Sequence, residues 1–354
     1  MPVIKTIGIM SGTSLDGVDL ACCEFEQTGE KWNFEIKAAE TFAYSAEWKQ
    51  RLATASGQTG IELAFTNNLL GGYFGEMVRD FIKKHKFTPD FIASHGHTIF
   101  HRPADGLTLQ IGSGAEIAAQ TSLTTVCDFR TSDVALGGQG APLVPVGDKL
   151  LFSEFQFCLN LGGFANISFD ESGQRIAFDV CPLNTVLNAL ANQLDLDFDK
   201  DGQVAASGKV DEHLLKALNA IAFYSKKPPK SLGREWLETS FMPVLNNFNL
   251  DIPDKMRTLA EHFAIQIAAV AKDKPSGKML ITGGGAFNRF LIERICDHSA
   301  HQIIIPDPLI VNFKEALIFA FLGVLRLKGI PNCLSSVTGA SHDNVGGVVY
   351  FGRK

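Results

Sequence analysis

Apolar residues come in short bursts over the first forty positions, and the runs 4–10, 18–25 and 32–42 each read as a β-strand. Helical spacing then takes over in 46–55 and again in 61–85, where Leu63, Leu69, Leu70, Phe74, Met77 and Phe81 recur along one face. A buried strand at 91–95, a short strand at 109–111, an Ala-rich helix ending at 121 and a strand at 124–127 complete the series. The strand triple returns at 157–160, 165–169 and 175–179, followed by a helix over 185–194. A helix at 256–271, a strand at 278–282, an amphipathic helix at 288–295, an apolar helix at 315–327 and a strand at 347–351 close the pattern. The chain therefore repeats one architecture twice, in element order rather than in residue identity. The expected division is 1–127 plus 340–354 for one domain and 128–339 for the other.

The bulk numbers agree with that division and exclude several classes. A length of 354 residues favours two domains, and 45% apolar with 20% charged residues is a globular balance. A net charge of −6, with only short basic clusters such as Lys83-Lys84 and Lys226-Lys227, implies no nucleic-acid-binding face. Seven cysteines without a Cys-x-x-Cys spacing, two of them adjacent at Cys22-Cys23, predict reduced thiols, a cytoplasmic setting and no structural zinc. No secretory leader is read at the N-terminus. The longest strongly apolar stretch, 316–325, is shorter than the roughly 20 residues of a membrane span, so no membrane partner is expected.

Three glycine-bearing turns carry the candidate chemistry. Between the first two strands lies a polar tip with Gly12, Thr13, Ser14, Asp16 and Gly17; glycines let backbone N–H groups converge on a phosphate, and Asp16 can hold magnesium through water. Alone, such a tip reads rather as an ordinary polar turn, with Asp16 capping local N–H groups. A second tip follows at Asn160, Gly162, Gly163 and Asn166. A third element runs from the strand 278–282 through Gly283, Gly284 and Gly285 into a helix start at Asn288, a geometry suited to nucleotides, without the Lys-Ser/Thr of a P-loop. The ordered trio resembles the actin-like ATPase superfamily of sugar kinases and chaperone ATPases. That resemblance implies an α/β fold of two actin-like (ribonuclease H-like) domains, with mixed sheets flanking an interdomain cleft.

The chain further resembles the anhydro-N-acetylmuramic acid kinase family along nearly its whole length. The segments that carry the likeness include Met10-Ser-Gly-Thr-Ser-Leu-Asp-Gly-Val-Asp19, Ser94-His-Gly96, Asp128-Phe-Arg130 and Gly137-Gly-Gln-Gly-Ala-Pro-Leu-Val-Pro145. Others are Asn160-Leu-Gly-Gly163, Asp201-Gly202 with Ala205-Ala-Ser-Gly208, Pro229-Lys-Ser231 with Gly233-Arg-Glu235, and Ser336-Val-Thr-Gly-Ala340. The resemblance implies a cytoplasmic, homodimeric, Mg2+- and ATP-dependent enzyme of cell-wall recycling. Water opens the 1,6-anhydro bridge of a muramic sugar while the freed O6 takes the γ-phosphoryl group.

It also implies roles for individual residues. The ATP-binding set is Gly12, Thr13, Ser14, Leu15, Asp16, Gly17, Val18, Asp19, Gly162, Gly163, Asn166, Gly283, Gly284, Gly285 and Asn288, with Asp16 the magnesium residue. Asp179 is the general base for water; outside the resemblance it reads as a turn former. His95, Arg130, Gln139 and Glu315 are the sugar-binding set. Arg130 offers a forked match to a lactyl carboxylate, or else an ion pair with Asp128 or Asp133. His95 is equally a core or turn histidine, and Glu315 equally a helix-start charge. Where the family usually has Asp-Thr-Gly-Pro-Gly-Asn, this chain has Asp179-Val-Cys-Pro-Leu-Asn184. The added bulk is expected to reshape the surroundings of the water. That leaves room for a plain hexosamine kinase, a related anhydro-sugar kinase or a non-catalytic ATP-binding sugar sensor.

Overall fold

The computed structural model describes residues 2–12 and 15–353. By compactness the chain divides into two units, Met1–Phe152 with Phe313–Lys354 and Ser153–Asn312. The segments 128–152 and 313–339, expected in the second domain, thus belong with the first. A buried polar network explains the difference. Asp133, fully buried, accepts from the Thr338 hydroxyl at 2.9 Å and the Asn344 amide at 2.8 Å, and a buried ion pair joins Lys314 to Asp148 at 2.7 Å. Buried groups of this kind must be satisfied locally, so the glycine-rich loop is tied to the C-terminal segment.

The first unit is built on β1 (Ile4–Ser11), β2 (Gly17–Thr28), β3 (Lys31–Ala43), β4 (Phe91–Arg102), β5 (Leu107–Ile111) and β6 (Thr124–Cys127). The sheet order from one edge is β3, β2, β1, β4, β6 and then the C-terminal strand Val348–Tyr350, with β5 paired to β4. The β1–β2 and β2–β3 pairs are antiparallel, whereas β4 runs parallel to β1 and β6 parallel to β4. The 26-residue helix Gly60–His85, opened by a Thr59/Glu62 capping box, packs Leu70, Phe74, Val78 and Phe81 into a core with Ile7, Ile9 and Leu20.

The second unit carries β7 (Phe157–Leu161), β8 (Phe164–Glu171), β9 (Gln174–Pro182), β10 (Lys278–Thr282) and β11 (Gln302–Ile304), in the order β9, β8, β7, β10, β11. Strand directions repeat those of the first unit: two antiparallel pairs, then two parallel additions. Both units therefore hold a mixed sheet with the same run of strand directions, and the internal repeat read from the pattern is a repeat of topology. The helix Ile252–Ala271 lays Met256, Leu259, Phe263 and Ile267 against Phe157, Leu159 and Ile167 of this sheet.

The C-terminal helix is longer than the sequence pattern indicated. It spans Pro308–Lys328 and passes the length and composition test for a membrane span, with a mean hydropathy of 1.8 in its most apolar window. Of that window, 67% is buried inside the protein, as in a core helix.

Candidate functional site

In the first unit the β1–β2 register, with Ser11 paired to Val18, makes the expected hairpin with its tip over 12–16. Gly17 is required there, because a Cβ would stand 2.5 Å from the Phe42 carbonyl oxygen. Thr13 and Ser14 lie outside the described residues. Leu15 adopts a left-handed backbone, φ 60°, with its N–H near the Gly12 carbonyl at 3.4 Å. Val18 is fully buried, backbone included, and packs into the core of the first unit. Asp16 is exposed, while Asp19 is half-buried and accepts a 2.6 Å bond from Thr41. Burial raises the Asp19 pKa, Thr41 opposes the rise, and the charge of Asp16 adds to it. Beneath the tip, Ser11 Oγ shares hydrogen bonds with Tyr44 at 2.7 Å and His97 Nδ1 at 2.9 Å, an arrangement the pattern of residues did not reveal.

On the same sheet, His95 at the buried end of β4 meets Arg130. The guanidinium donates to His95 Nε2 from Nε at 3.2 Å and Nη2 at 2.8 Å, and Nη1 donates to the Gly140 carbonyl at 2.6 Å. The ion pairs considered for Arg130 do not form: Asp128 accepts from Thr131, and Asp133 accepts from the Gly140 N–H, Thr338 and Asn344. The carboxylate that acts on it most is Glu315, which works against the downward pull of burial on the arginine. Glu315 sits in the eighth position of the helix Pro308–Lys328, too far from the first turn to serve as a helix-start charge. Its side chain is open to solvent, yet protein gathered around it raises its carboxyl pKa; Arg130 counters the rise and Asp19 reinforces it. Gln139 exposes its side chain while its N–H bonds the Thr338 carbonyl at 2.8 Å. The first unit thus brings Arg130, Glu315 and Asp19 within electrostatic reach of one another.

In the second unit the β7–β8 hairpin has Gly162 and Gly163 at its tip, since Leu161 pairs with Ala165. Their carbonyls accept the N–H groups of Leu183, Asn184 and Thr185, so the start of the helix Asn184–Ala191 is stitched to the turn. β10 lies beside β7, with Thr282 against Asn160, and this delivers the Gly283–Gly285 turn to the same end of the sheet. Gly283 has φ +82°, and a Cβ there would stand 2.5 Å from Asn160 Oδ1. Asn288 caps the helix Arg289–His298 by accepting the Leu291 N–H at 3.0 Å.

Asp179 belongs to β9, paired with Asn166 across a bulge that leaves Val180 unmatched. A strap running through Lys230 and Leu232 brackets it: the Asp179 N–H donates to the Lys230 carbonyl at 3.2 Å, and Leu232 N–H donates to Asp179 Oδ2 at 2.7 Å. Burial raises the Asp179 pKa against the opposing Leu232 bond. The three residues expected to crowd this carboxylate point elsewhere. Val180, Cys181 and Leu183 are 2%, 0% and 0% exposed and belong to the core cluster. Their bulk fills the interior, because the bulge turns Val180 to the same side as Cys181.

Among the described residues no three His, Cys, Asp or Glu side chains come together as a metal cage. Magnesium is usually held by one or two carboxylates plus water and phosphate oxygens, and an exposed Asp16 fits that mode.

The profile of the anhydro-N-acetylmuramic acid kinase family matches residues 4–352. The anhydro-N-acetylmuramic acid kinase of Coxiella burnetii is 38% identical over 376 aligned positions, covering 100% of this chain and 99% of the relative. That of Vibrio cholerae is 36% identical over 375, covering 98% of each. Among solved structures, component A of the (R)-2-hydroxyglutaryl-CoA dehydratase of Acidaminococcus fermentans aligns over 90% of this chain and 96% of its own, at 14% identity and a TM-score of 0.46, too loose a likeness to argue from.

Proposed function

The chain belongs to the anhydro-N-acetylmuramic acid kinase family, and we propose that its two sets of polar residues divide the work of that kinase between them. The reaction consumes ATP, water and 1,6-anhydro-N-acetylmuramic acid. Water adds at the anomeric carbon, the bond from that carbon to O6 breaks, O6 takes the γ-phosphoryl group, and ADP and N-acetylmuramic acid 6-phosphate leave. Asp179 accepts the proton of the attacking water. The observation that carries this role is its half-buried carboxylate: Leu232 pins one oxygen and so orients the other, while burial, against that bond, raises its basicity.

Arg130, oriented by His95 and Gly140, is suited to the lactyl carboxylate of the sugar; Gln139 and Glu315 are suited to its hydroxyls. His95 then acts through Arg130, since its Nε2 is already taken. In the first unit Gly12, and in the second Gly162 and Gly163, are each suited to offer backbone N–H groups to phosphate, and Gly283–Gly285 with Asn288 leaves room for the nucleoside. Magnesium bound with ATP would neutralise phosphate charge, and Asp16 is the residue to hold it, through water. Membership of the family and the free thiols support a cytoplasmic homodimer acting in cell-wall recycling. The core placement of Cys181 and Leu183 removes the reason to prefer a plain hexosamine kinase or a sensor.

The test is turnover of the anhydro-sugar in 18O-water by the wild type and by Asp179→Asn. The wild type should place label at the anomeric carbon in step with ADP release, after correction for exchange of the free sugar. The variant should lose about 10²–10⁴ in rate. Unlabelled product, or near-normal turnover by the variant, overturns the assignment.

A further inference from the structure

Four polar residues lie in one line across the second sheet. Thr282 pairs with Asn160, Asn160 with Asn166, and Asn166 with Asp179, on β10, β7, β8 and β9 in turn. Residues paired directly across a sheet project from the same face. The adjacent pairs, Leu161 with Ala165 and Ile167 with Phe178, are buried in the core, so the polar line occupies the opposite face. At one end Asn160 meets both glycine turns: its Oδ1 and Nδ2 lie 2.5 Å and 3.2 Å from where Cβ atoms at Gly283 and Gly162 would stand. At the other end is Asp179. Asn166 stands between them, with Cβ separations to its neighbours of about 5 Å, as for any paired position.

The line is also under-bonded. Asn160 and Asn166 are half-buried, and among the described residues neither side-chain amide has a hydrogen-bond partner. The Thr282 hydroxyl at the head of the line is buried without a partner as well. Buried polar groups are normally satisfied, so the orphaned Thr282 hydroxyl, heading a row whose half-buried amides bond nothing among the described residues, points to a bound group that completes the row. A neutral amide also suits a place beside a carboxylate, because it offers an N–H donor and a carbonyl acceptor without a second negative charge.

We propose that Asn166 is a positioning residue, its amide standing between the glycine turns and Asp179 so that the transferred phosphoryl group and the attacking water are held in one row. This rests on the reading of Asp179 as the base, but the juxtaposition can be tested without it. The titratable groups around Asp179 are Cys181 on its own strand and Lys230 on the strap, with Tyr224 beyond Cys181. Asn166→Asp would add a like charge directly opposite, and Asn166→Ser is a milder change in case the first variant folds poorly.

The experiment is a carboxyl-13C NMR titration of aspartate-labelled protein without nucleotide or sugar, with Asp179→Asn assigning the resonance. It is paired with ADP calorimetry and steady-state kinetics. Asn166→Asp should raise the titration midpoint of Asp179 by about one pH unit through like-charge repulsion and weaken ADP binding about tenfold. Asn166→Ser should lower kcat about tenfold with little change in sugar KM. An unmoved Asp179 midpoint in Asn166→Asp, or unchanged kcat in Asn166→Ser, overturns the proposal. If instead Asp179→Asn turns over normally while the midpoint still moves, the reading of the base fails and the positioning role fails with it, though the geometry stands.

Discussion

Arg130 holds one ring nitrogen of His95 with two of its own, Nε at 3.2 Å and Nη2 at 2.8 Å from Nε2. Since a guanidinium only donates, Nε2 must be the acceptor and the ring proton must sit on Nδ1. Burial first, and the arginine charge second, pull the His95 pKa down to about 3. His95 is therefore neutral throughout the physiological range and serves as a bracket for Arg130.

It follows that His95→Gln, which keeps an acceptor, should leave sugar KM within a few fold. His95→Ala should raise it about tenfold or more, the scale of one lost charge-assisted hydrogen bond. ATP KM should hold in both. The pH profile gives the sharper check: wild type and His95→Gln should share the same acid limb. A limb near pH 6.5 that vanishes in the glutamine variant would mean that His95 titrates after all.

Asp133 should prove a stability residue that also shapes the site. Its carboxylate takes the Gly140 N–H at 2.8 Å together with the Thr338 and Asn344 side chains, and Gly140 in turn offers its carbonyl to Arg130. Asp133→Ala strands those donors and should cost about 3–5 kcal/mol in urea unfolding. Asp133→Asn should fall between, since one acceptor survives. Gly138→Ala should disturb the same contact, because its Cβ would stand 2.2 Å from Asp133 Oδ2. Unfolding midpoints equal to wild type would show that the loop is held by other means.

The sequence pattern made the strand triples and glycine turns legible because period-2 apolar runs interrupted by glycine report a half-buried strand and its turn directly. It misjudged positions whose environment is set from a distance. Asp133 looked like an ion-pair partner for Arg130, but its partners stand some two hundred positions away at Thr338 and Asn344. Glu315 looked like a helix start because the apolar run is densest after it, whereas the helix begins at Pro308. The strap at Lys230 and Leu232 was visible only as a family segment. Its grip on Asp179 is made by backbone atoms, which leave no trace in residue type.

The altered segment beside the base should govern stability and leave substrate choice alone. Leu183 is fully buried, and its Cδ2 lies 2.9 Å from where a Cβ at Gly285 would stand, so it fills the space beneath the third glycine turn. Leu183→Gly should cost at least the roughly 3–5 kcal/mol of a large-to-small core change. Val180→Thr would bury a hydroxyl and also destabilise. The ratio of kcat/KM for anhydro-N-acetylmuramic acid over its lactyl-free analogue should remain within a few fold in each variant that folds. A tenfold change in that ratio would return these residues to the sugar site.

Asp179 itself should reduce the stability of the protein it serves. Burial lifts its folded pKa above the ordinary 3.8, so the folded state prefers the protonated carboxyl more than the unfolded chain does. Below 3.8 both states are protonated and nothing is lost. As pH rises from there through the folded pKa, stability falls, and beyond that the penalty stays constant. Asparagine keeps an oxygen for the Leu232 N–H but carries no charge to desolvate. Asp179→Asn should therefore be more stable than wild type in urea at about pH 7.5, with the advantage shrinking as pH is lowered toward about 4. A stability difference that is the same at both pH values would mean that the charge of Asp179 is not what the fold resists, and would weaken its standing as a base held ready at the protein's own cost.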